Sequence, residues 1–176
     1  MNLSAILAKK FFEYLLAEKN SAQRRQNAGR TTPLLPPWAS AAEAFRRLCN
    51  GCGACAQACG SGIISMDKDG FPIVDFKQGS CTFCGDCARS CLTGALQFDP
   101  EQKPWTVAAR ISENCLLGSR VLCRTCGDCC EHGAIHFPLA EGRRPQISPE
   151  QCTGCGACVS VCPVGAVSLA TCNKGE

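Results

Sequence analysis

Sixteen of the chain's eighteen cysteines fall in four tight runs, and a thiol in that setting is above all an iron ligand. Cys49, Cys52, Cys55 and Cys59 follow the spacing C-x2-C-x2-C-x3-C, and Cys81, Cys84, Cys87 and Cys91 repeat it. Cys152, Cys155, Cys158 and Cys162 repeat it again, with Pro163 after the last. A looser run uses Cys115, Cys123, Cys126 and Cys130. Three thiolates so close together wrap one face of a cuboidal [4Fe–4S] cluster, and in paired runs the fourth reaches the neighbouring cluster. Four runs therefore predict four [4Fe–4S] clusters. By the crossing rule they group as Cys49, Cys52, Cys55 and Cys91; Cys81, Cys84, Cys87 and Cys59; Cys115, Cys123, Cys126 and Cys162; and Cys152, Cys155, Cys158 and Cys130.

Two other uses of cysteine fit less well. A disulfide scaffold belongs to oxidising compartments, and no secretory leader pattern of basic start, apolar run and small-residue cleavage site is evident. Structural zinc sites join two C-x2-4-C or H-x3-5-H pairs across a longer loop, whereas these runs pack four thiols into eleven residues. His132 and His136 lie beside Cys130, but with sixteen thiols available they read as ordinary loop and strand residues.

The third run can be aligned in two ways. From its N-terminal side, Cys126-Gly127-Asp128-Cys129 mimics Cys84-Gly85-Asp86-Cys87 and would make Cys129 the third ligand. The fourth would then fall on Gly133, which has no side chain. From its C-terminal side, Cys130 precedes Glu131-His132-Gly133-Ala134-Ile135 and matches the fourth ligand, so that Cys126 is third, Cys123 second and Cys129 a bystander. The second alignment is favoured. It puts Cys115 in place of the ligand expected at Arg120, and the longer loop predicts a more labile cluster, because exposure and hydrogen bonds to sulfur tune such sites. That cluster should be the first lost in a timed air titration; equal loss of all four would count against it. Cys172 has no companion run and reads as a free thiol.

The elements that must hold these thiols repeat with them. Each fourth cysteine leads within three residues to a glycine and then an apolar pair: Gly62-Ile63-Ile64, Gly94-Ala95-Leu96, Gly133-Ala134-Ile135 and Gly165-Ala166-Val167. This reads as a short helix ended at a glycine, where left-handed geometry is easy, followed by a strand. Ile63–Met66 and Phe71–Phe76 flank Asp67-Lys68-Asp69-Gly70, a hairpin signal. Weaker hairpins are expected over Ala95–Ile111 and Ala134–Ile147. The fold class is α+β: two tandem ferredoxin-like units at 45–99 and 106–170, each holding two [4Fe–4S] clusters, joined around Pro100 and Pro104. An N-terminal helical and basic extension, residues 1–44, precedes them.

In that extension Leu3, Leu7, Phe11, Tyr14 and Leu15 share one face of a helix over 3–18. Such a helix can dock on protein or lie on a membrane surface as a peripheral contact. Ser21–Arg30 is polar and basic, and Pro33–Trp38 is an extended linker with one aromatic anchor. Residues 1–48 hold eight Lys/Arg against three Asp/Glu, and residues 49–176 hold ten against twelve. Oxidised clusters with their thiolates would add roughly two negative charges each, making the loaded protein acidic. The modest basic excess without interleaved aromatics argues against nucleic acid as a partner. No run of eighteen apolar residues exists, so no spanning helix is expected. Arg24-Arg25 is followed by a polar stretch, not by the apolar run of an export signal. No nucleophile–base pair, nucleotide-binding glycine loop or paired-carboxylate site stands out, and no enzymatic activity is expected. Units this small bury little apolar surface, so cluster binding should be folding energy and the iron-free chain should be disordered or molten.

The chain resembles the NapF ferredoxin-type family associated with periplasmic nitrate reductase, over about residues 24–170. The resemblance rests on Pro36-Pro37-Trp38-Ala39, on Gly70-Phe71-Pro72-Ile73-Val74-Asp75-Phe76, on Cys81-Thr82-Phe83-Cys84-Gly85 and on the widened third run ending Cys130–Ile135. Arg24-Arg25 corresponds to the family's arginine pair, and the residues before it depart from the family. The resemblance implies a cytoplasmic protein that binds the precursor of the catalytic molybdoenzyme before export and assists its maturation. It also supports leaving Cys129 out of the ligand set. The alternative is a general electron carrier, or an electron-transfer subunit of a respiratory redox complex.

Overall fold

The computed structural model describes residues 33–139 and 144–172. The helix expected over 3–18 and the basic segment Ser21–Arg30 lie outside the described residues. From Pro33 onward the chain forms one compact unit, built from a twice-repeated layout of short helices and two-stranded sheets.

Helix α1, Ala42–Leu48, opens the first half with Glu43 in its first turn and Arg46 and Arg47 in its last, the charge order that complements a helix dipole. Four single-turn helices follow, one per cysteine run: α2 at Ala54–Gln57, α3 at Asp86–Arg89, α4 at Thr125–Asp128 and α5 at Ala157–Ser160. A four-residue helix does not persist on its own in water. Each is pinned by the flanking loops, and α2 packs on α3 and α4 on α5.

Each half contains an antiparallel hairpin. In the first, β1 (Ile64–Met66) pairs with β2 (Pro72–Val74), Ile64 opposite Val74. Asp67 closes the turn: its Oδ1 accepts from the N–H of Asp69 at 2.9 Å and of Phe71 at 2.8 Å. In the second half β4 (Ile135–His136) pairs with β5 (Gln146–Ile147). Pro72 is fully buried and opens β2, a position at which its missing N–H costs no ladder bond.

The hairpin expected over Ala95–Ile111 does not form. Leu96 bridges Ala39 instead, and β3 (Val107–Ile111) pairs in five-residue register with β6 (Val167–Thr171). Pro100 and Pro104 interrupt the intervening chain and prevent a continuous ladder. Each half thus closes on itself by pairing its first extended segment with its last. In the first half that segment is the stretch expected to be a linker. Pro36 and Pro37 are fully buried, the N–H of Val74 donates to Leu34 O at 2.8 Å and that of Trp38 to Pro104 O at 2.6 Å. Trp38 Nε1 donates to Asp99 O at 3.1 Å, and its ring meets Phe98 edge-on at 5.0 Å.

The first core gathers Phe45, Ile63, Ile64, Phe76, Ala88, Ala95 and Leu96 around Cys55 and Cys87. The second is smaller: Ala109, Ile135, Val167 and Cys158. The halves are stitched by aromatics. Trp105 Nε1 donates to Thr153 O at 3.1 Å, and its ring meets Phe76 and Phe83 edge-on. Phe76, from the first half, lies so close over Gly156 of the second that an added Cβ would fall 2.1 Å from its ring.

Candidate iron–sulfur centre

The four single-turn helices present their cysteines alike. Cys55, Cys87, Cys126 and Cys158 each occupy the second position of their helix, and Cys59, Cys91, Cys130 and Cys162 each lie two residues beyond its end. Gly53, Gly85 and Gly156 precede α2, α3 and α5 with φ of 74°, 80° and 82°, whereas Arg124 precedes α4 with φ of −127°. Two residues before those glycines in the loop, Gly51 and Gly154 are left-handed, and Phe83 occupies the same place with φ of 56°. A phenylalanine there carries about 1 to 2 kcal/mol of backbone strain, offset by its packing on Trp105.

Four cavities are lined by these thiols. Cys49, Cys52, Cys55 and Cys91 surround about 20 Å³ of free space beside Phe45 and Leu96. Cys115, Cys123, Cys126 and Cys162 surround a similar 20 Å³ beside Ile111 and Val167. Cys59, Cys81, Cys84 and Cys87 border about 350 Å³ under Trp38 and Ile63. Cys130, Cys152, Cys155 and Cys158 border about 380 Å³ beside Ala109 and Ile135, and Cys129 lines it as well. The first and last cysteines of a run therefore serve different cavities, and each half holds one tight and one open cavity. The two open cavities adjoin: Cys81 lines both, and its N–H donates to Cys155 O at 2.8 Å.

The chemistry of these walls suits an iron–sulfur cluster. All eighteen cysteines are free thiols. Among the described residues no three His, Cys, Asp or Glu side chains converge on a single-ion site; a lone tetrahedral ion would need thiolates about 3.8 Å apart, from metal–sulfur bonds of about 2.3 Å. Here the thiols bracket a space instead. Backbone N–H groups already point at sulfur: Phe83 to Cys81 at 3.4 Å, Leu96 to Cys91 at 3.4 Å, Ala109 to Cys152 at 3.5 Å and Ala166 to Cys162 at 3.2 Å. Such bonds favour thiolate over thiol and tune a cluster's potential.

Burial acts in the opposite sense. It pushes the Cys87 and Cys158 thiols up to about 12, and those of Cys81 and Cys126 up to about 11, with neighbouring thiolates adding to the effect. Cys55 and Cys129 are raised for the same first cause. Cys91 is the exception: burial raises it, but the Thr93 hydroxyl and the N–H groups of Leu96, Thr93 and Ala95 bring it net below the ordinary value. Without iron the buried thiols are protonated at neutral pH, so loading must expel their protons.

His136 is occupied by Ser148, Nε2 to Oγ at 2.8 Å, and His132 sits at the rim of the larger open cavity. Cys172 lines none of the four cavities. From sequence Phe71, Phe76 and Phe83 read as packing around the clusters; the part of Phe98, and the glycines that the rings cover, were missed. Phe98 covers Gly85 and takes the Arg89 guanidinium at 4.8 Å over its ring, while Phe76 covers Gly156 from the other half. The glycine between the second and third cysteines of those runs was the available signal.

Thiol-walled cavities paired within a duplicated set of single-turn helices and small sheets define a ferredoxin-type iron–sulfur protein. Residues 48–95 match the 4Fe-4S dicluster domain and residues 145–168 the 4Fe-4S binding domain, so the third run lies outside both matched spans. A ferredoxin-type protein NapF of Haemophilus influenzae is 41% identical over 143 residues, covering 80% of this chain and 81% of that protein. The NapF of Escherichia coli K12 is 38% identical over 135 residues, 76% and 82% of the two chains. A subunit of an ion-translocating oxidoreductase complex from Methanosarcina acetivorans is 42% identical over 130 residues, 69% of this chain and 46% of that longer one. The chain belongs to the NapF ferredoxin-type family, iron–sulfur proteins of electron transfer that bind [4Fe–4S] clusters. Among the described residues no helix is long and apolar enough to cross a membrane.

Proposed function

We propose that this protein holds four [4Fe–4S] clusters on the sixteen cysteines of its runs and assists maturation of the catalytic subunit of periplasmic nitrate reductase, in the cytoplasm, before that subunit is exported. The observation that carries the cluster count is the set of four cavities, each bordered by three cysteines of one run and the last cysteine of another. Family membership over 80% of the chain supports the client. When bound, a [4Fe–4S] cluster accepts and releases one electron at a time. The chain's part is to supply thiolates, aim the N–H groups of Phe83, Leu96, Ala109 and Ala166 at sulfur, and exclude water with Phe45, Trp38, Ile63 and Ile135. No substrate-transforming site belongs to this reading; the protein delivers electrons or cluster material to its client.

A second reading, an electron-transfer subunit of a respiratory redox complex, is favoured by the likeness to the archaeal oxidoreductase-complex subunit. The test is an anaerobic pull-down with the iron-loaded protein as bait, offering the cytoplasmic precursor and the mature nitrate reductase side by side. Selective capture of the precursor is expected. Capture of neither, by bait verified to hold about sixteen irons (four per cluster), would leave the electron-transfer role standing.

A further inference from the structure

The larger open cavity has one thiol more than a [4Fe–4S] cluster uses. Cys130, Cys152, Cys155 and Cys158 border it, Cys129 lines the same wall, and Cys81 touches its rim while serving the adjoining cavity. In the repeat Cys129 takes the slot of Ala58 after α2, Ser90 after α3 and Val161 after α5, so among the four runs only this one carries a second thiol beside its last ligand. Its present contact is weak and local: Sγ donates to Cys126 O at 3.3 Å, much as the Ser90 hydroxyl donates to Cys87 O at 3.0 Å. Both Cys129 and Cys130 are half-buried at the same cavity wall, and adjacent residues can exchange places by local torsion without moving α4 or β4.

We propose that Cys129 is a reserve ligand of this cavity: the fourth iron position, normally held by Cys130, can be handed to Cys129 without loss of the cluster. The exchange is a ligand substitution. Cys129 gives up its thiol proton as its sulfur–iron bond forms, the Cys130 sulfur–iron bond breaks, and the Cys130 thiolate takes up a proton; no electrons change hands. The inference rests on the reading that this cavity holds a [4Fe–4S] cluster. It assigns one of the four positions a means of loosening and regaining its grip, which a centre that donates cluster material requires and a fixed relay does not.

The test compares Cys130→Ala, Cys129→Ala, the double variant and Cys59→Ala, each loaded anaerobically. Cys59 holds the equivalent place beside Ala58 and has no reserve. Iron and sulfide per chain are counted, and native alkylation is mapped by mass spectrometry. Cys130→Ala and Cys129→Ala should keep the wild-type iron count, and Cys130→Ala should leave Cys129 protected from alkylation. Cys59→Ala and the double variant should lose between one and four irons. Iron loss in Cys130→Ala equal to that in Cys59→Ala, or in Cys129→Ala alone, overturns the proposal. The wild-type protein supplies an arm that needs no variant to fold. Limiting alkylation should place most label on Cys129 and some on Cys130, in separate molecules, with iron retained; full iron in molecules labelled at both overturns the exchange. A wild-type count well short of sixteen irons would instead defeat the four-cluster reading itself, a distinct result.

Discussion

The two halves share one plan and invest differently in it. The first has the larger apolar core, with Phe45 fully buried, and closes its ends by a single bridge between Ala39 and Leu96. The second gathers four residues into its core cluster, none larger than isoleucine, with Val107, Ala108, Ala134 and Ala166 also buried. It has a two-residue hairpin and a 3₁₀ turn at Leu116–Ser119, and closes its ends with the five-pair ladder of β3 and β6. Side-chain packing dominates one half and backbone pairing the other. Apolar burial contributes regardless of what fills the cavities, roughly 25 cal/mol per Å². A two-stranded ribbon is marginal unless something packs on it. The second half should therefore depend more on its clusters.

Complete removal of iron is the severest way to break the comparison. Metal binding is folding energy in small domains, so the iron-free protein should lose its cooperative thermal transition. Hydrogen exchange should show 107–171 opening before 39–96; a native-like transition in iron-free protein, or simultaneous opening, would contradict the contrast. Phe45→Ala comes next. A fully buried phenylalanine lost to a cavity costs about 3 to 5 kcal/mol, and Ile135→Ala, at 9% exposure in the thinner core, should cost nearer ~2 kcal/mol. Denaturant melts of the two loaded variants should separate in that order, and a larger loss from Ile135→Ala would reverse the assignment of the stronger core.

Trp105→Phe sharpens the comparison at the seam. It keeps an aromatic ring near Phe76 and Phe83 but removes the bond to Thr153 O, worth about 0.5 to 1.5 kcal/mol. Its effect should appear in the melting of both halves together; a shift confined to one would mean that Trp105 belongs to that half alone. The smallest difference should be in alkaline sensitivity. Each half holds two thiols raised to about 11 or 12, Cys81 and Cys87 in the first and Cys126 and Cys158 in the second. Below about pH 9 they are protonated folded and unfolded alike. Between about 9 and 11 to 12 only the unfolded chain gives up these protons, so any residual iron-free structure should weaken as pH rises through that window. Circular dichroism of the two halves' signals should fall in parallel, and strengthening above about pH 9 would contradict the sign.

How much of this was legible beforehand depends on distance along the chain. The cysteine spacing, the hairpin around Asp67–Gly70 and the weaker one from Ala134 to Ile147 are local patterns, and each has its counterpart in the structure. The hairpin over 95–111 failed because apolar alternation marks a strand without naming its partner, and the partner of Val107–Ile111 lies roughly sixty residues away. Pro33–Trp38 reads as a linker by composition, yet buries Pro36 and Pro37 because Trp38 is tied to the far end of the same half. The crossing rule gives an expected grouping of the thiols as ligands, while which thiols border which cavity, Cys129 in the larger open one included, is read from the coordinates.

The placement of Phe76 over Gly156 has a consequence for how such a molecule can arise and be divided. Two copies of one ancestral unit begin as interchangeable parts, and either could be kept alone. Once the first copy lends its ring to cover the backbone of the second, a gene cut near Pro100 uncovers Gly156, and it frees the Thr153 carbonyl as well if Trp105 leaves with the other fragment. The dependence runs one way: loss of the first unit strips Ser80, Cys81, Thr82 and Phe83 from a wall of the second unit's metal chamber, whereas both chambers of the first are lined by its own residues.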